Sequence, residues 1–370
     1  MSAHSQNIPV AQPVLGDYEI AELTEVIRSG RISSGAKVQA FEQAVVEFTG
    51  ARHAIAVSTG TAALHVSLAA LGVGPGDEVL VPDLTFISTA YVVLYQGAIP
   101  VLCECDPSTY NVTAEILESR LTDKTRALIP VEMNGIPLDY DEILPVADRI
   151  GIPVIVDSAE SFGSEFEGRT VGDQALAHTW SFFPNKTVTT GEGGMVTTSD
   201  SELASEIRSL VNQGQDGRYN HVSLGFNYRM TEMQAAIGLA QMRRLPWILE
   251  EKERIASAYD EAILGIPDLE PAPRPTYASR QSWFMYSVTC ENRAQRDAIA
   301  NHMGKDGIET RTGFPPIHSQ PYFREHFGYD ESDFPVTMAA WERKLDIPCW
   351  AGMPEDTQGR VIDSMKRSLA

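Results

Sequence analysis

Ser181-Phe-Phe-Pro-Asn-Lys186-Thr-Val-Thr-Thr-Gly191-Glu-Gly-Gly194 delivers one lysine between an apolar, aromatic run and a turn rich in threonine and glycine. The run, Thr179 to Phe183, reads as a buried strand, so Lys186 is held against protein and not in solvent. Desolvation disfavours the ammonium form and leaves the amine a nucleophile. Upstream, Pro153-Val-Ile-Val-Asp157 reads as a second buried strand that ends on a carboxylate. In open α/β sheets, ligands bind beyond the carboxyl ends of the strands, where both residues fall.

Working outward, strand, turn and helix recur. Ala54 to Val57, Glu78 to Val81, Ile99 to Leu102 and Ala127 to Val131 are continuous apolar strands. Thr61 to Leu71, stopped by Gly72, has helical character. Such alternation implies a mostly parallel sheet covered on both faces. Before it, residues 1–15 form an extended arm with Pro9 and Pro13, followed by helices Asp17 to Ser29 and Val38 to Phe48. After it, Thr231-Glu-Met-Gln234 is a capping-box start for a long helix, with Glu250 to Arg254 as a solvated charged face. Pro267 to Pro275 reads as a linker, then come a strand (Phe284 to Thr289) and a helix (Arg293 to Met303). The expected organisation is a large α/β domain with its arm over residues 1–250 and a smaller α+β domain over 251–370.

Composition narrows the partners. A net charge of −21, from 29 basic and 50 acidic side chains, argues against nucleic-acid and anionic-membrane binding. The longest apolar stretch, Ala90 to Leu102, is broken by Gln96, Gly97 and Pro100, too short for a membrane span. Met1 to Gln6 lacks the basic and apolar regions of a secretory leader. Cys103, Cys105, Cys290 and Cys349 show no metal-ligand spacing, which fits reduced thiols, no metal site and a cytoplasmic location. An anionic small ligand would need a local basic pocket, for which Arg31, Arg218, Arg229 and Arg311 are candidates.

Lys186 with Asp157 suits an aldehyde cofactor such as pyridoxal phosphate: the amine forms a Schiff base and the carboxylate keeps a pyridinium nitrogen protonated. Ser58-Thr-Gly-Thr61, between a strand and a helix, fits a phosphate site or an ordinary helix cap. A P-loop is rejected, because Lys186 precedes the glycines of Thr189 to Gly194. Phe86, in Pro82-Asp-Leu-Thr-Phe86, fits a ring stacked on a planar cofactor or a core aromatic.

The order of these elements resembles pyridoxal phosphate enzymes of the aspartate aminotransferase fold, fold type I. Ser58-Thr-Gly-Thr-Ala-Ala-Leu-His65, Gly74-Pro-Gly-Asp-Glu-Val79, Asp157-Ser-Ala-Glu160, Gly225-Phe-Asn-Tyr-Arg-Met230 and Phe314-Pro-Pro-Ile-His318 are similar to the DegT-type nucleotide-sugar aminotransferases. That resemblance spans Arg31 to Pro348. It implies Lys186 as Schiff-base lysine, Asp157 as partner of the ring nitrogen, and Gly60, Thr61 and Ser181 on the phosphate. It further implies Asn227 reaching that phosphate from the other subunit of a homodimer, Phe86 stacking on the ring, and Glu160 contacting cofactor or sugar. Arg311 and His318 would line the sugar-nucleotide pocket.

A dehydratase branch of the family carries histidine in place of the lysine, so Lys186 favours transamination. The implied reaction moves an amino group from L-glutamate to a nucleotide-linked keto sugar for polysaccharide synthesis. The likeness points to the perosamine-synthase branch, acting on C4 of a GDP-linked 4-keto-6-deoxy sugar. Pro184 and Cys349-Trp350 depart from that branch's usual glycine and Thr-His. The alternatives are amination at C3 or C4 of a dTDP- or UDP-linked sugar, and a regulatory cofactor-binding protein without turnover.

Overall fold

The computed structural model describes residues 7–369, so Met1 to Gln6 of the arm lie outside the described residues. Strands β1 (His53–Val57), β2 (Glu78–Pro82), β3 (Ile99–Cys103), β4 (Thr125–Leu128) and β5 (Ile155–Asp157) are followed by a short hairpin, β6 (Glu165–Phe166) and β7 (Arg169–Thr170), and then β8 (Ala177–Ser181) and β9 (Gly194–Thr198). Hydrogen bonding gives one group of four, β1-β9-β8-β5, and one of three, β3-β2-β4. Parallel bridges Leu128–Val154 and Val131–Asp157 join them into a single sheet.

The strand cores, including Val79, Leu80, Val81, Ile155 and Val156, are sealed by helices on both faces, as their unbroken apolar character requires. One strand breaks the parallel pattern. β9 runs antiparallel to both β1 and β8, and the sequence reading had taken its first residue as the end of a turn. An antiparallel neighbour needs no crossover helix, so the Lys186 segment simply connects β8 back to β9. β8 also ends at Ser181, two residues before the expected Phe183, because Pro184 and the turn at Phe183–Lys186 leave the ladder early.

The 32-residue helix Glu232–Ile263 starts at the expected capping box, where the Thr231 side chain accepts from the Gln234 N–H. Its first half packs Ala235, Leu245 and Leu249 into the large core. Its second half packs Ile255, Tyr259 and Ile263 into a separate core with Trp283, Tyr286 and Val288. The charged stretch Glu250 to Arg254 is not wholly solvated. Lys252 is buried and donates to the carbonyl oxygen of Trp283 at 3.0 Å, and burial draws its amine down to about 8.

The C-terminal sheet contains β10 (Leu269–Glu270), inside the expected linker, with β12 (Tyr286–Cys290) and β13 (Lys344–Ile347), all antiparallel in the order β10-β12-β13. β11 (Ala278–Arg280) instead pairs with β6 and so ties the C-terminal segment to the β6–β7 hairpin. The arm continues this stitching: Ile8 bridges Ile308, and the N–H of Cys349 donates to the oxygen of Val10 at 3.1 Å. All four cysteines are free and buried.

Candidate active site

Three strand ends converge. Asp157 is the last residue of β5 and Ser181 the last of the adjacent β8, while β1 leads through Ser58 and Thr59 into the helix Gly60–Ala70. Thr59 caps that helix by accepting from the Ala62 N–H, so the capping reading of this turn holds. The first N–H groups of a helix have no intrahelical partner and stay available to an anion. Gly60 is required for a second reason: a Cβ there would lie 2.8 Å from the Cβ of Ser181. Thr61 Oγ1 lies 2.8 Å from Ser88 Oγ. Gly60, Thr61, Ser88 and Ser181 thus form a small hydroxyl-lined cradle at a helix N-terminus, which fits a phosphate.

Asp157 is buried and accepts two bonds, from Thr89 Oγ1 at 2.8 Å and from the Ala159 N–H at 3.2 Å. Burial pushes its carboxyl above the usual carboxylate range, opposed by those bonds and by the Lys186 charge. Glu160 is buried three residues on. Its Oε2 accepts the Asn134 N–H at 2.7 Å and its Oε1 lies 3.7 Å from Lys186 Nζ. Burial raises its pKa too, opposed first by Lys186.

The Lys186 side chain is 12% exposed, and its Nζ sits 3.8 Å from the centre of the Phe284 ring. Desolvation lowers its pKa below that of an ordinary lysine, against the charges of Glu160 and Asp157. A desolvated amine beside the Glu160 carboxylate, with the Asp157 charge also acting on it, is equipped to attack a carbonyl and to carry a proton.

The remaining expected residues are placed less uniformly. Phe86, 51% exposed, opens the segment leading into the Ser88–Tyr95 helix, and its ring lies 5.2 Å from that of Phe314. Arg229 bridges Val57 at the end of β1 and donates to Asn212 Oδ1 at 2.8 Å. Asn227 lies on the exposed segment beside Leu224, which is 91% exposed. Arg31 is exposed between the first two helices, and Arg218 lies in an exposed turn against the ring of Tyr219. Arg311 is paired with Glu309 at 3.0 Å. Among the described residues, none of these arginines bonds to Lys186, Asp157 or Glu160.

His318 departs from the expectation that it lines a pocket. Its side chain is 0% exposed, with Nδ1 2.6 Å from Asp83 Oδ2. The ring is sealed because its segment is clamped to the residue after β2. Phe314, from the same motif, is the residue that meets Phe86.

Sequence reasoning missed Ser88, Thr89, Asn134 and Phe284. Thr89 stands one helical turn beyond Phe86 and was within reach of a periodicity argument. Asn134 and Phe284 reach the site only through tertiary packing.

A large sheet with a buried aspartate at the end of β5 and a buried lysine in the turn after the adjacent β8 defines a fold-type I, pyridoxal phosphate-dependent transferase. The chain belongs to the DegT/DnrJ/EryC1/StrS aminotransferase family, whose model matches residues 13–366. It is 40% identical to GDP-perosamine synthase of Caulobacter vibrioides over 98% of both chains. It is 37% identical to the spore coat polysaccharide biosynthesis protein SpsC of Bacillus subtilis, over 97% of this chain and 96% of that one. Sugar aminotransferase Spr1654 of Streptococcus pneumoniae, solved in PMP and PLP forms, superposes with a TM-score of 0.94 at 28% identity over 98% of both chains. The protein is therefore a sugar aminotransferase that uses pyridoxal phosphate, and the cradle and the carboxylate–lysine group above fit that cofactor.

Proposed function

We propose that this enzyme transfers an amino group from L-glutamate to C4 of a GDP-linked 4-keto-6-deoxy sugar, for a surface polysaccharide. The observation that carries the catalytic part is the Lys186 amine, buried 3.7 Å from Glu160 and desolvated below ordinary lysine basicity. The GDP sugar and the C4 position rest on the 40% identity to GDP-perosamine synthase.

When bound, pyridoxal phosphate supplies an electron sink that stabilises negative charge at the carbon losing its proton. Lys186 holds the cofactor by its Nζ. Once free, the same Nζ takes and returns the proton, and burial lowers its hold on that proton. Asp157 keeps the pyridine nitrogen protonated, and Thr89 orients that carboxylate. Gly60, Thr61, Ser88 and Ser181 bind the phosphate through N–H and hydroxyl groups. Phe86 covers the ring face, and Glu160 contacts cofactor or sugar. Arg31, Arg218, Arg229 and Arg311 are the candidates for the nucleotide phosphates.

The enzyme works as a homodimer in this reading. The exposed segment from Leu224 to Asn227 reaches the partner's phosphate site and buries its apolar tip in doing so. It acts in the cytoplasm, a reading supported by the free cysteines and by the lack, among the described residues, of any helix long and apolar enough to cross a membrane.

The test is turnover with L-glutamate and GDP-, dTDP- or UDP-linked keto-6-deoxy sugars, with products identified by mass spectrometry. The GDP 4-keto sugar should be aminated at C4, and Lys186→Ala should bind cofactor without covalent attachment and not turn over. Preference for a dTDP or UDP sugar, or amination at C3, would replace the substrate assignment. Turnover by Lys186→Ala would overturn the role of the lysine.

A further inference from the structure

A run of buried polar groups leaves Glu160 on the side away from the strand ends and crosses into the C-terminal sheet. Lys344 and Asp346 lie two residues apart on β13, hence on one face, and Lys344 Nζ pairs with Asp346 Oδ1. Ser287 of β12 stands opposite Asp346 in the antiparallel register and donates its hydroxyl to the same oxygen. Ser287 Oγ in turn accepts from Asn134 Nδ2 at 3.0 Å. The backbone N–H of Asn134 then donates to Glu160 Oε2 at 2.7 Å. Among the described residues, this is the one hydrogen bond the Glu160 carboxylate receives.

Every link is buried: Lys344, Asp346, Ser287, Asn134 and Glu160. The turn that carries Asn134 is set with care. Asn134 adopts φ +55° and Gly135 φ +85°, and a Cβ on Gly135 would come within 2.4 Å of Ser282 Oγ. A left-handed asparagine persists only where its surroundings over-determine it. A buried ion pair adds little to stability against an apolar replacement of the same size, so packing alone does not call for Lys344 and Asp346 here. A fully satisfied buried chain does fix the position of its end group.

We propose that Asn134, Ser287, Asp346 and Lys344 are positioning residues that fix the Glu160 carboxylate beside the Lys186 amine, so that the C-terminal sheet sets the counter-ion of the lysine. The inference rests on Lys186 being the cofactor lysine, but the arrangement belongs to the protein without cofactor and is measurable there. The charged groups facing Lys186 are Glu160, Asp157 and, more weakly, Lys252, beside the Phe284 ring. Those facing Glu160 are Lys186, Lys344 and Asp157. Breaking the chain at Ser287 frees the Asn134 side chain, loosens its N–H from Glu160 and weakens the negative charge beside Lys186. Losing a negative neighbour disfavours the ammonium, so the lysine should titrate at lower pH.

The experiment is reductive methylation of Lys186 in the cofactor-free protein as a function of pH, read by peptide mass spectrometry. Ser287→Ala should move the midpoint down by about half to one pH unit. Thr198→Val, which removes a buried bond from β9 to the oxygen of Leu176 and touches no member of the chain, is the control and should lower stability without moving the midpoint. Asn134→Gly tolerates the left-handed turn, removes the same link and should reproduce the shift, which covers a Ser287→Ala protein that does not fold. Midpoints in Ser287→Ala and Asn134→Gly no different from Thr198→Val would overturn the proposal. Borohydride trapping of pyridoxal phosphate on the wild-type protein is run beside it. A cofactor fixed on another side chain would refute the assignment of Lys186, while the methylation profile still decides the chain.

Discussion

Nδ1 of His318 lies 2.6 Å from Oδ2 of Asp83, with both side chains fully enclosed. Asp83 also accepts the His318 N–H at 2.8 Å through Oδ1, and its backbone oxygen accepts the Ile317 N–H at 2.8 Å. The pair pins the segment after Phe314 to the carboxyl end of β2, and that places Phe314 against Phe86. Burial pushes the Asp83 carboxyl above its ordinary range, with the His318 bond opposing it. His318→Ala removes the partner and leaves the acid enclosed. We expect a stability loss of about 3–5 kcal/mol in urea unfolding. An unchanged urea midpoint with a raised KM for the keto sugar would instead return His318 to the substrate pocket.

Gly60→Ala tests the cradle. The new Cβ meets that of Ser181 at 2.8 Å, so either the helix start or the end of β8 must move. Overpacking of this kind costs about 1–3 kcal/mol, which is about five- to 150-fold in affinity if the displaced groups bind the phosphate. Fluorescence titration of the cofactor-free protein with pyridoxal phosphate reads it. Adding Ser181→Gly opens the space and should recover part of the loss. A Gly60→Ala protein with wild-type cofactor affinity would remove this turn from the phosphate site.

The parallel sheet was legible because β1, β2, β3 and β5 are mostly apolar runs, and Asp157 ends the last of these; Lys186 was legible from the turn that follows β8, not from the strand itself, whose His178 and Thr179 break the apolar pattern. Both side chains are local features of the sequence. β9 was not legible: Gly194 to Thr198 has the polar threonines of a surface strand, yet Thr197 and Thr198 are buried and bonded to the oxygens of Gly172 and Leu176. Lys252 was misread for the converse reason. A charged stretch on a helix gives no sign that one of its members meets the carbonyl of Trp283, in the loop that leads into β12. His318 was expected in the pocket from the family resemblance alone, and nothing local in the chain showed its enclosed partner, because Asp83 is 235 residues away.

Asp157→Asn keeps the shape at the end of β5 and removes the charge. The Thr89 bond at 2.8 Å has an acceptor in the amide oxygen, so folding and cofactor binding should persist. Without the carboxylate the ring nitrogen loses its proton and the electron sink weakens. We expect the glutamate half-reaction to slow by about 10²-fold or more, the scale seen when one preorganised electrostatic partner is removed. Stopped-flow absorbance in a single turnover measures it. Thr89→Val, which only loosens the carboxylate, should cost far less, on the order of 1 kcal/mol. Equal half-reaction rates in wild type and Asp157→Asn would show that Asp157 does not face the ring nitrogen.

His178 predicts an acid sensitivity that is independent of the chemistry. The ring is buried on β8, with Nδ1 2.9 Å from Ser158 Oγ and Nε2 accepting the Ala175 N–H at 3.3 Å. That acceptor role assigns the proton to Nδ1, and a second proton on Nε2 would point at an N–H. Desolvation accordingly lowers the pKa to about 3. In the unfolded chain it sits near 6.5. Because the folded value is depressed, the unfolded state binds the extra proton as pH falls. The contribution is fully present above about pH 6.5 and declines by about 1.4 kcal/mol per pH unit on the way down to the folded pKa. Between pH 7 and pH 5 this group alone removes about 2 kcal/mol. Asp157, Glu160 and Glu132, whose carboxyls are raised by burial, act in the opposite direction as pH falls through their raised folded values toward the ordinary carboxylate range, so the comparison must be between proteins and not between pH values alone. His178→Gln should be less stable than wild type at pH 7 yet show a smaller drop to pH 5 in urea midpoints. Parallel stability–pH curves for the two proteins would mean that His178 already takes up its proton in the folded state.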